Sequence, residues 1–338
     1  MSRKYLLYIS QNYSFEILRP LQTEIKKRGQ QCFWYVEGNK VNLNNFLESE
    51  NRLFTIDEVK DYSPDAVLVP GNHVPNFIPG LKVQVFHGLE WKKKGHFRIR
   101  GFFDLYCTHG ELTTKRFREL EKKYQYFKVI ETGWPKLDPL YQTKAFELKT
   151  DLPVILFAPT FSPNLTCAVK LLEQIRRIVA TNQFHWLVKF HPKMNQEWMK
   201  PFQKIENKNF TIVDTDNCLP LLKRADILLS DTSSIISEFL LLDKPAVTFR
   251  NRLPGEYLIN FSEPEDLESS LNLALSKSEK LLDTIKIENQ KLHPYRDGQS
   301  ASRVLDAIDM QLKLDIPIKK PLNLWRNLKL RKKLKYWK

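Results

Sequence analysis

The segment Ala225 to Val247, ADILLSDTSSIISEFLLLDKPAV, permits few folds. Ile227-Leu228-Leu229 is a short apolar run of the kind a buried parallel strand makes. Ser230-Asp231-Thr232-Ser233-Ser234 is a polar hinge. Ile235, Ile236, Phe239 and Leu240 then recur with helical spacing, with Glu238 among them. Pro245 disfavours helix in the residue before it, so the helix ends near Asp243-Lys244. Ala246 to Phe249 reads as the next strand. A helix N-terminus offers unpaired N–H groups and partial positive charge, which suits a phosphate. The hydroxyls of Thr232, Ser233 and Ser234 add hydrogen-bonding groups. Taken singly, each of Asp231, Thr232, Ser233 and Ser234 reads as an N-cap. Taken as a cluster at the carboxyl end of a buried strand, they read as a ligand site, because open α/β sheets bind there. There are no Walker glycines and no Gly-x-Gly-x-x-Gly, so neither an NTPase nor a dinucleotide site is indicated.

The same alternation runs through the chain twice. Strands are expected at Lys4–Ile9, Cys32–Val36, Ala66–Val69, Val83–Phe86, Leu105–Thr108 and Val129-Ile130. A helix is expected around Phe15, Leu18, Leu21 and Ile25, kinked at Pro20 and stopped at Gly29, and another over 111–123. Asn39 to Glu58 is polar and has no clear pattern. Gly133-Trp134-Pro135 breaks the first set, and Thr143–Asp151 reads as a linker. Strands at Val154–Phe157, Trp186–Phe190 and Phe210–Val213 begin the second set, with helices at 167–180, 219–223 and 267–282. Two such sets predict two α/β domains with parallel sheets. The expected limits are 1–145, 150–312 and a tail of 313–338.

The chain has 338 residues, 42% of them hydrophobic, enough for two cores. No apolar run is long enough to span a membrane, and the N-terminus enters a strand pattern directly rather than a signal peptide. Four scattered cysteines with no CxxC spacing argue against disulfides or zinc and fit a reducing cytoplasm. The net charge is +14, and nine lysines and arginines with no acid fall from Lys319 onward, leaving +5 for the rest. Such a tail points to an anionic partner. Within it Leu322, Trp325, Leu330, Leu334, Tyr336 and Trp337 share one broad half of a helix starting near Pro321, with Leu324 and Leu328 off that arc. Aromatic and basic residues together suit an anionic membrane surface.

His87-Gly88 follows an apolar strand, and imidazole as a class titrates near physiological pH, so His87 is a candidate general base. The bland alternative is a histidine satisfied by loop carbonyls. Lys92, Lys93, Lys94, Arg98 and Arg100, interleaved with Trp91 and Phe97, read either as a solvated face or as contacts for a phosphate-bearing substrate. Lys189-Phe190-His191-Pro192-Lys193 ends a strand and presents His191 near the edge that carries Ser233 and Ser234, where a donor would stabilise a diphosphate; a structural turn is the alternative. Asp297-Gly298 opens a turn into a helix that includes Arg303. No histidine pair has metal-ligand spacing, Asp214-Thr215-Asp216 reads as a loop, and His73, His96 and His109 read as structural. Neither metal nor cofactor is expected.

In their order, His87-Gly88, Gly133-Trp134-Pro135-Lys136-Leu137-Asp138, Phe157-Ala158-Pro159-Thr160-Phe161, Lys189–Pro192, Ser230–Ser234 with Glu238 and Lys244-Pro245, and Asp297-Gly298 with Arg303 resemble the motifs of the CDP-glycerol glycerophosphotransferases, the teichoic-acid primases and polymerases. The likeness spans roughly 83–303. It departs at Leu89-Glu90-Trp91-Lys92, where the family has a Thr-Pro-Leu-Lys-like segment, and at Lys136-Leu137-Asp138, where it has Arg-Asn-Asp. The resemblance implies a GT-B fold of two facing Rossmann-like domains. It implies transfer of glycerol phosphate, or a related polyol phosphate, from a CDP-linked donor to a lipid-linked glycan acceptor, by a peripheral enzyme at the cytoplasmic face of the membrane. It gives His87 the acceptor's proton, places the donor on Thr160, His191, Thr232, Ser233, Ser234, Asp297 and Gly298, and leaves Lys92, Lys93 and Arg98 for acceptor or phosphate contacts. Two other readings stand beside it: a GT-B glycosyltransferase using a nucleotide sugar on lipopolysaccharide or capsule, and a non-catalytic polyanion-binding protein. No nucleic-acid motif is present, and no nucleic-acid partner is expected.

Overall fold

A computed structural model describes residues 2–89, 95–215, 217–314 and 320–337. Lys92 and Lys93 lie outside these residues. In chain order the first elements are β1 (Lys4–Ile9), α1 (Ser14–Lys27), β2 (Gln31–Val36), β3 (Arg52–Leu53), α2 (Ile56–Tyr62), β4 (Ala66–Val69), β5 (Leu81–Gln84), β6 (Leu105–Thr108), α3 (Glu111–Tyr124), β7 (Lys128–Glu131) and α4 (Asp138–Gln142). Their strands form a seven-stranded sheet in the order β3-β2-β1-β4-β5-β6-β7. The next elements are β8 (Val154–Phe157), α5 (Ala168–Ala180), β9 (His185–Val188), α6 (Gln196–Gln203), β10 (Phe210–Ile212), α7 (Leu219–Arg224), β11 (Ile227–Ser230), α8 (Ile235–Leu240), β12 (Ala246–Phe249), β13 (Ile259–Phe261), α9 (Leu267–Leu275) and α10 (Glu279–Leu292). Their sheet has six strands, β10-β9-β8-β11-β12-β13. Every pairing in both sheets is parallel. Helices α11 (Ser300–Lys313) and α12 (Leu324–Leu334) follow.

The central strands are buried on both faces, which is why they read as continuous apolar runs such as Val154–Phe157 and Ile227–Leu229. Helix α1 runs on through Pro20 and buries Phe15, Leu18, Leu21 and Ile25. The unpatterned stretch 39–58 holds a short 3-10 turn at Leu43–Asn45, the edge strand β3, and the start of α2, where Thr55 accepts from the N–H of Glu58. The single helix expected over 267–282 is two helices, α9 and α10.

The chain divides into two compact units, 1–141 with 291–338, and 142–290. Residues 291–312 therefore leave the second domain expected at 150–312 and join the first. The reasons are specific contacts. The Asp138 carboxylate accepts from the N–H groups of Ser300 (2.8 Å) and Ala301 (2.7 Å), capping the start of α11. Arg28 binds Asp306 at 2.8 Å, and Arg3 pairs with Asp309. The Trp134 N–H donates to His293 Nε2 at 2.9 Å.

The basic C-terminal segment is not a free tail. Leu330 and Tyr336 are buried, Leu334 packs on the same core, and Tyr336 stacks on Phe77 with ring centroids 5.0 Å apart. Lys60 Nζ donates to Tyr336 Oη at 2.9 Å, and the Asn323 amide donates to the carbonyls of Arg100 and Gly101. Three residues of the expected membrane arc, Leu330, Leu334 and Tyr336, thus face the protein. The exposed set is Leu322, Leu324, Trp325, Leu328 and Trp337. Among the described residues no helix is long and apolar enough to cross a membrane.

Candidate functional site

In the second unit β8 and β11 lie side by side, and the chain winds away from them in opposite directions, through β9 and β10 on one side and β12 and β13 on the other. The carboxyl ends of β8 and β11 thus frame a topological switch point, where open α/β sheets bind ligands. Thr160 lies on the loop after β8, and Thr232, Ser233 and Ser234 lie on the loop after β11. Asp231 ties the two loops together. It is fully buried; Oδ2 accepts from the N–H groups of Thr160 (3.0 Å) and Cys167 (3.1 Å), and Oδ1 accepts from that of Thr232 (2.6 Å). Burial pushes its carboxyl up, opposed by these N–H donors. Ser230 Oγ donates to the Ala158 carbonyl at 2.7 Å, and the Asn251 side-chain amide donates to the Asp231 carbonyl at 2.6 Å.

His191 follows β9 and is exposed. Its ring lies 4.4 Å from that of Phe161, beside Thr160, and its Nδ1 accepts from the Lys193 N–H at 3.1 Å. Partial burial, Lys189 and Lys193 lower its pKa. Ser233 Oγ accepts from the Ile235 N–H at 3.4 Å, the capping role expected of one hydroxyl in the cluster, and the Ser234 side chain makes no capping bond. The structure thus groups Thr160, His191, Thr232, Ser233 and Ser234 along one sheet edge. Lys244 instead closes the end of α7. Its Nζ donates to the carbonyls of Leu222, Lys223 and Ala225 there, and burial lowers its pKa to about 8. Asp297 and Gly298 lie in the first compact unit, in the turn that enters α11. There Asp297 pairs with Arg303 and accepts from the Gln299 N–H at 3.1 Å.

In the first unit, the strand expected at Val83–Phe86 ends at Gln84, and Phe86 takes φ 58°, a left-handed conformation that costs a bulky residue of order 1–3 kcal/mol. The Phe86 side chain stays buried against Phe117, His96 and His109. The turned backbone sends His87 outward, exposed, with its ring 5.4 Å from that of Tyr13. Arg98 is exposed, and burial, with the charges of Arg98 and Arg326, lowers the pKa of Arg100. Among the described residues no cluster of His, Cys, Asp or Glu is arranged to hold a metal ion. Sequence reasoning missed Tyr13 and Asn251, which carry no local signal. It read Asp231 as an N-cap or as one of the ligand cluster, whereas its carboxylate holds the loops after β8 and β11 together.

Solved structures share this fold. A putative UDP-N-acetylglucosamine 2-epimerase from Listeria monocytogenes superposes with TM-score 0.66 at 15% identity, covering 95% of this chain and 100% of its own. The wall teichoic acid polymerase TagF superposes with TM-score 0.63 at 14% identity, covering 94% and 90%. Two doubly wound, Rossmann-like parallel sheets of this kind give the protein a GT-B-type α/β fold. The family model for CDP-glycerol:poly(glycerophosphate) glycerophosphotransferases matches residues 104–310, more than half of the chain, and the chain belongs to that family. The teichoic acid glycerol-phosphate primase of Bacillus subtilis (strain 168) is 23% identical over 276 residues, covering 67% of this chain and 67% of that protein.

Proposed function

We propose that the protein moves glycerol phosphate, or a related polyol phosphate, from a CDP-linked donor to a lipid-linked glycan acceptor in the synthesis of a teichoic-acid-like surface polymer. The observation that carries this reading is the hydroxyl-rich switch point of the second unit in a chain of this family. Its Thr160, Thr232, Ser233 and Ser234 and the His191 imidazole are a donor set suited to a diphosphate. In the reaction an acceptor hydroxyl oxygen attacks the phosphorus next to the polyol, the bond from that phosphorus to the CMP oxygen breaks, and CMP leaves with the electron pair. His87 takes the hydroxyl proton. Such transfer rests on positioning and charge stabilisation. Asp297 and Gly298 enter this reading as donor contacts by their motif alone, and Arg98, with Lys92 and Lys93, by charge alone.

Incubation with CDP-glycerol, CDP-ribitol and nucleotide sugars, scored by nucleotide release, tests the donor. Release from a nucleotide sugar alone would make the protein a glycosyltransferase instead. Ser233→Ala, Ser234→Ala and His191→Ala are each expected to weaken CDP-glycerol binding by about 1.5–3 kcal/mol, as lost hydrogen bonds to a charged group do. Calorimetry giving wild-type affinity for all three variants would refute the diphosphate site.

The same reading puts the enzyme on the cytoplasmic face of an anionic membrane. Supporting it, α12 is held by its inner side and turns Leu324, Trp325 and Leu328 outward among exposed Arg326, Lys329 and Lys332. Rings and cations so mixed suit the headgroup region, each cation contributing about 1 kcal/mol near the surface. Leu324→Ser with Trp325→Ala leaves the inner side untouched and is expected to cut co-sedimentation with anionic vesicles severalfold at high salt, where screening weakens the cations. Equal sedimentation of variant and wild type at high salt would remove these side chains from the interface.

A further inference from the structure

The first unit has a switch point of its own. Strands β1 and β4 are neighbours, and the chain winds from them through β2 and β3 on one side and through β5, β6 and β7 on the other. By the rule applied to the second unit, a ligand belongs at the carboxyl ends of β1 and β4. His87 is one strand away, after β5. At the switch point itself stand Tyr8 in β1, Glu37 directly after β2, and His73 on the loop after β4.

These three make one cluster with a residue from the far end of the chain. The Glu37 side chain is fully buried. Its Oε2 accepts from Tyr8 Oη at 2.5 Å and from His73 Nε2 at 2.9 Å, and its Oε1 accepts from Lys333 Nζ on α12. Burial alone would raise its pKa; the bonds from His73, Lys333 and Tyr8 overcome that and hold it down to about 2. A buried ionic cluster is a poor way to fasten a helix, since apolar packing does so at no desolvation cost.

Each of Glu37's two nitrogen partners keeps an open side. The His73 side chain is 31% exposed and that of Lys333 49%. A neutral histidine that donates from Nε2 to a carboxylate carries its lone pair on Nδ1. That nitrogen has no hydrogen-bond partner among the described residues, and Lys333 has two N–H groups beyond the one on Glu37. Gly38 turns away in a left-handed conformation, φ 76°, and a Cβ there would come within 3.5 Å of Lys333 Cε. The site therefore presents an acceptor nitrogen for a hydroxyl beside an ammonium group for a phosphate.

We infer that Glu37, His73 and Lys333 form a second ligand site, for the hydroxyl and phosphate of a polyol phosphate, and that the C-terminal helix completes it. Resting on the proposed transfer, the polyol phosphate is the growing end of the acceptor. Glu37 is a positioning residue; His73 and Lys333 touch the ligand. The helix that turns Leu324 and Trp325 outward carries Lys333 on its inner side, so seating the helix and forming the site are one event.

The test is a titration of the full chain with sn-glycerol 3-phosphate, followed by nitrogen-15 NMR of the histidine rings. The expected result is an Nε2–H tautomer at His73 and a saturable shift of its Nδ1. Lys333→Met should raise the apparent Kd at least tenfold, Lys333→Arg should restore it, and His191→Ala should leave it unchanged. His73→Gln, which keeps a donor for Glu37, should abolish binding without lowering the thermal midpoint by more than a few degrees. Should Lys333→Met prove unstable, Glu37→Gln with Lys333→Met leaves no unpaired buried charge and should bind no better. No shift at His73, an Nδ1–H tautomer, or binding retained in the double variant would overturn the inference. CMP release from CDP-glycerol is measured in parallel. Glycerol phosphate seen at His73 without any such release supports this site and counts against the donor reading alone.

Discussion

His87→Ala is expected to lower acceptor-dependent CMP release by about 10²–10⁴-fold, the usual contribution of a positioned general base, while CDP-glycerol binds as before. The expectation rests on backbone geometry. Phe86 holds a left-handed φ of 58° while its ring is anchored in an aromatic cluster with Phe117, His96 and Tyr106. A phenylalanine is kept in that conformation only where the surroundings over-determine it, and such sites concentrate where function requires an unusual direction of the chain. The direction obtained here is that of His87, carried out of the sheet edge to lie against Tyr13. Donor affinity is expected to hold because the proposed diphosphate contacts Thr160, His191, Thr232, Ser233 and Ser234 belong to the other compact unit. Single-turnover kinetics beside calorimetry with CDP-glycerol separates the two effects. A variant with wild-type turnover would take the proton-accepting role away from His87.

Much of this was legible from local pattern. Strands buried on both faces appear as apolar runs and Gly29 marks the end of α1, so the two parallel sheets follow from order alone, while α8, expected to run to Asp243-Lys244, already ends at Leu240. The hydroxyl cluster at 232–234 was visible because its residues are adjacent. What escaped depends on partners distant in the chain. Asp231 reads as a cap until strand order puts the Thr160 loop beside it. His73 reads as structural because Glu37 lies 36 positions away and the Lys333 that shares Glu37 lies 296 positions from it. Residues 291–313 carry no label saying which sheet they join; that is decided by Asp138 at the N-terminus of α11 and by Arg28 on Asp306. The amphipathic arc of the tail was drawn for a helix alone in solvent. Once Leu330 and Tyr336 enter the core, Leu324 and Trp325 define the outer side.

The first unit is expected to lose stability steeply between pH 6.5 and 4. His109 and His293 are both buried. Burial pushes His293 down to about 4, aided by Arg303 and opposed by hydrogen bonds to backbone groups, and pushes His109 well below its ordinary value, with His293 and His96 adding to the effect. An unfolded imidazole titrates near 6.5. The sign follows: within this window the unfolded chain binds protons that the folded chain refuses, so stability is complete above pH 6.5 and falls as the pH falls. Each histidine removes up to about 1.4 kcal/mol per pH unit, roughly 3 kcal/mol over the window for His293 alone. His109 adds to this loss in the same direction. Glu37 acts in a separate range: held down to about 2, its contribution is present at pH 5 and is lost only as the pH falls toward 2. Urea midpoints at pH 7.5, 6 and 5 read the effect. His293→Gln keeps an acceptor for the Trp134 N–H and removes one titrating group, so its midpoint should fall less steeply with acid than that of the wild type. Midpoints that do not move between pH 7.5 and 5, or slopes equal in wild type and His293→Gln, would show that these imidazoles take up their protons without opening the fold.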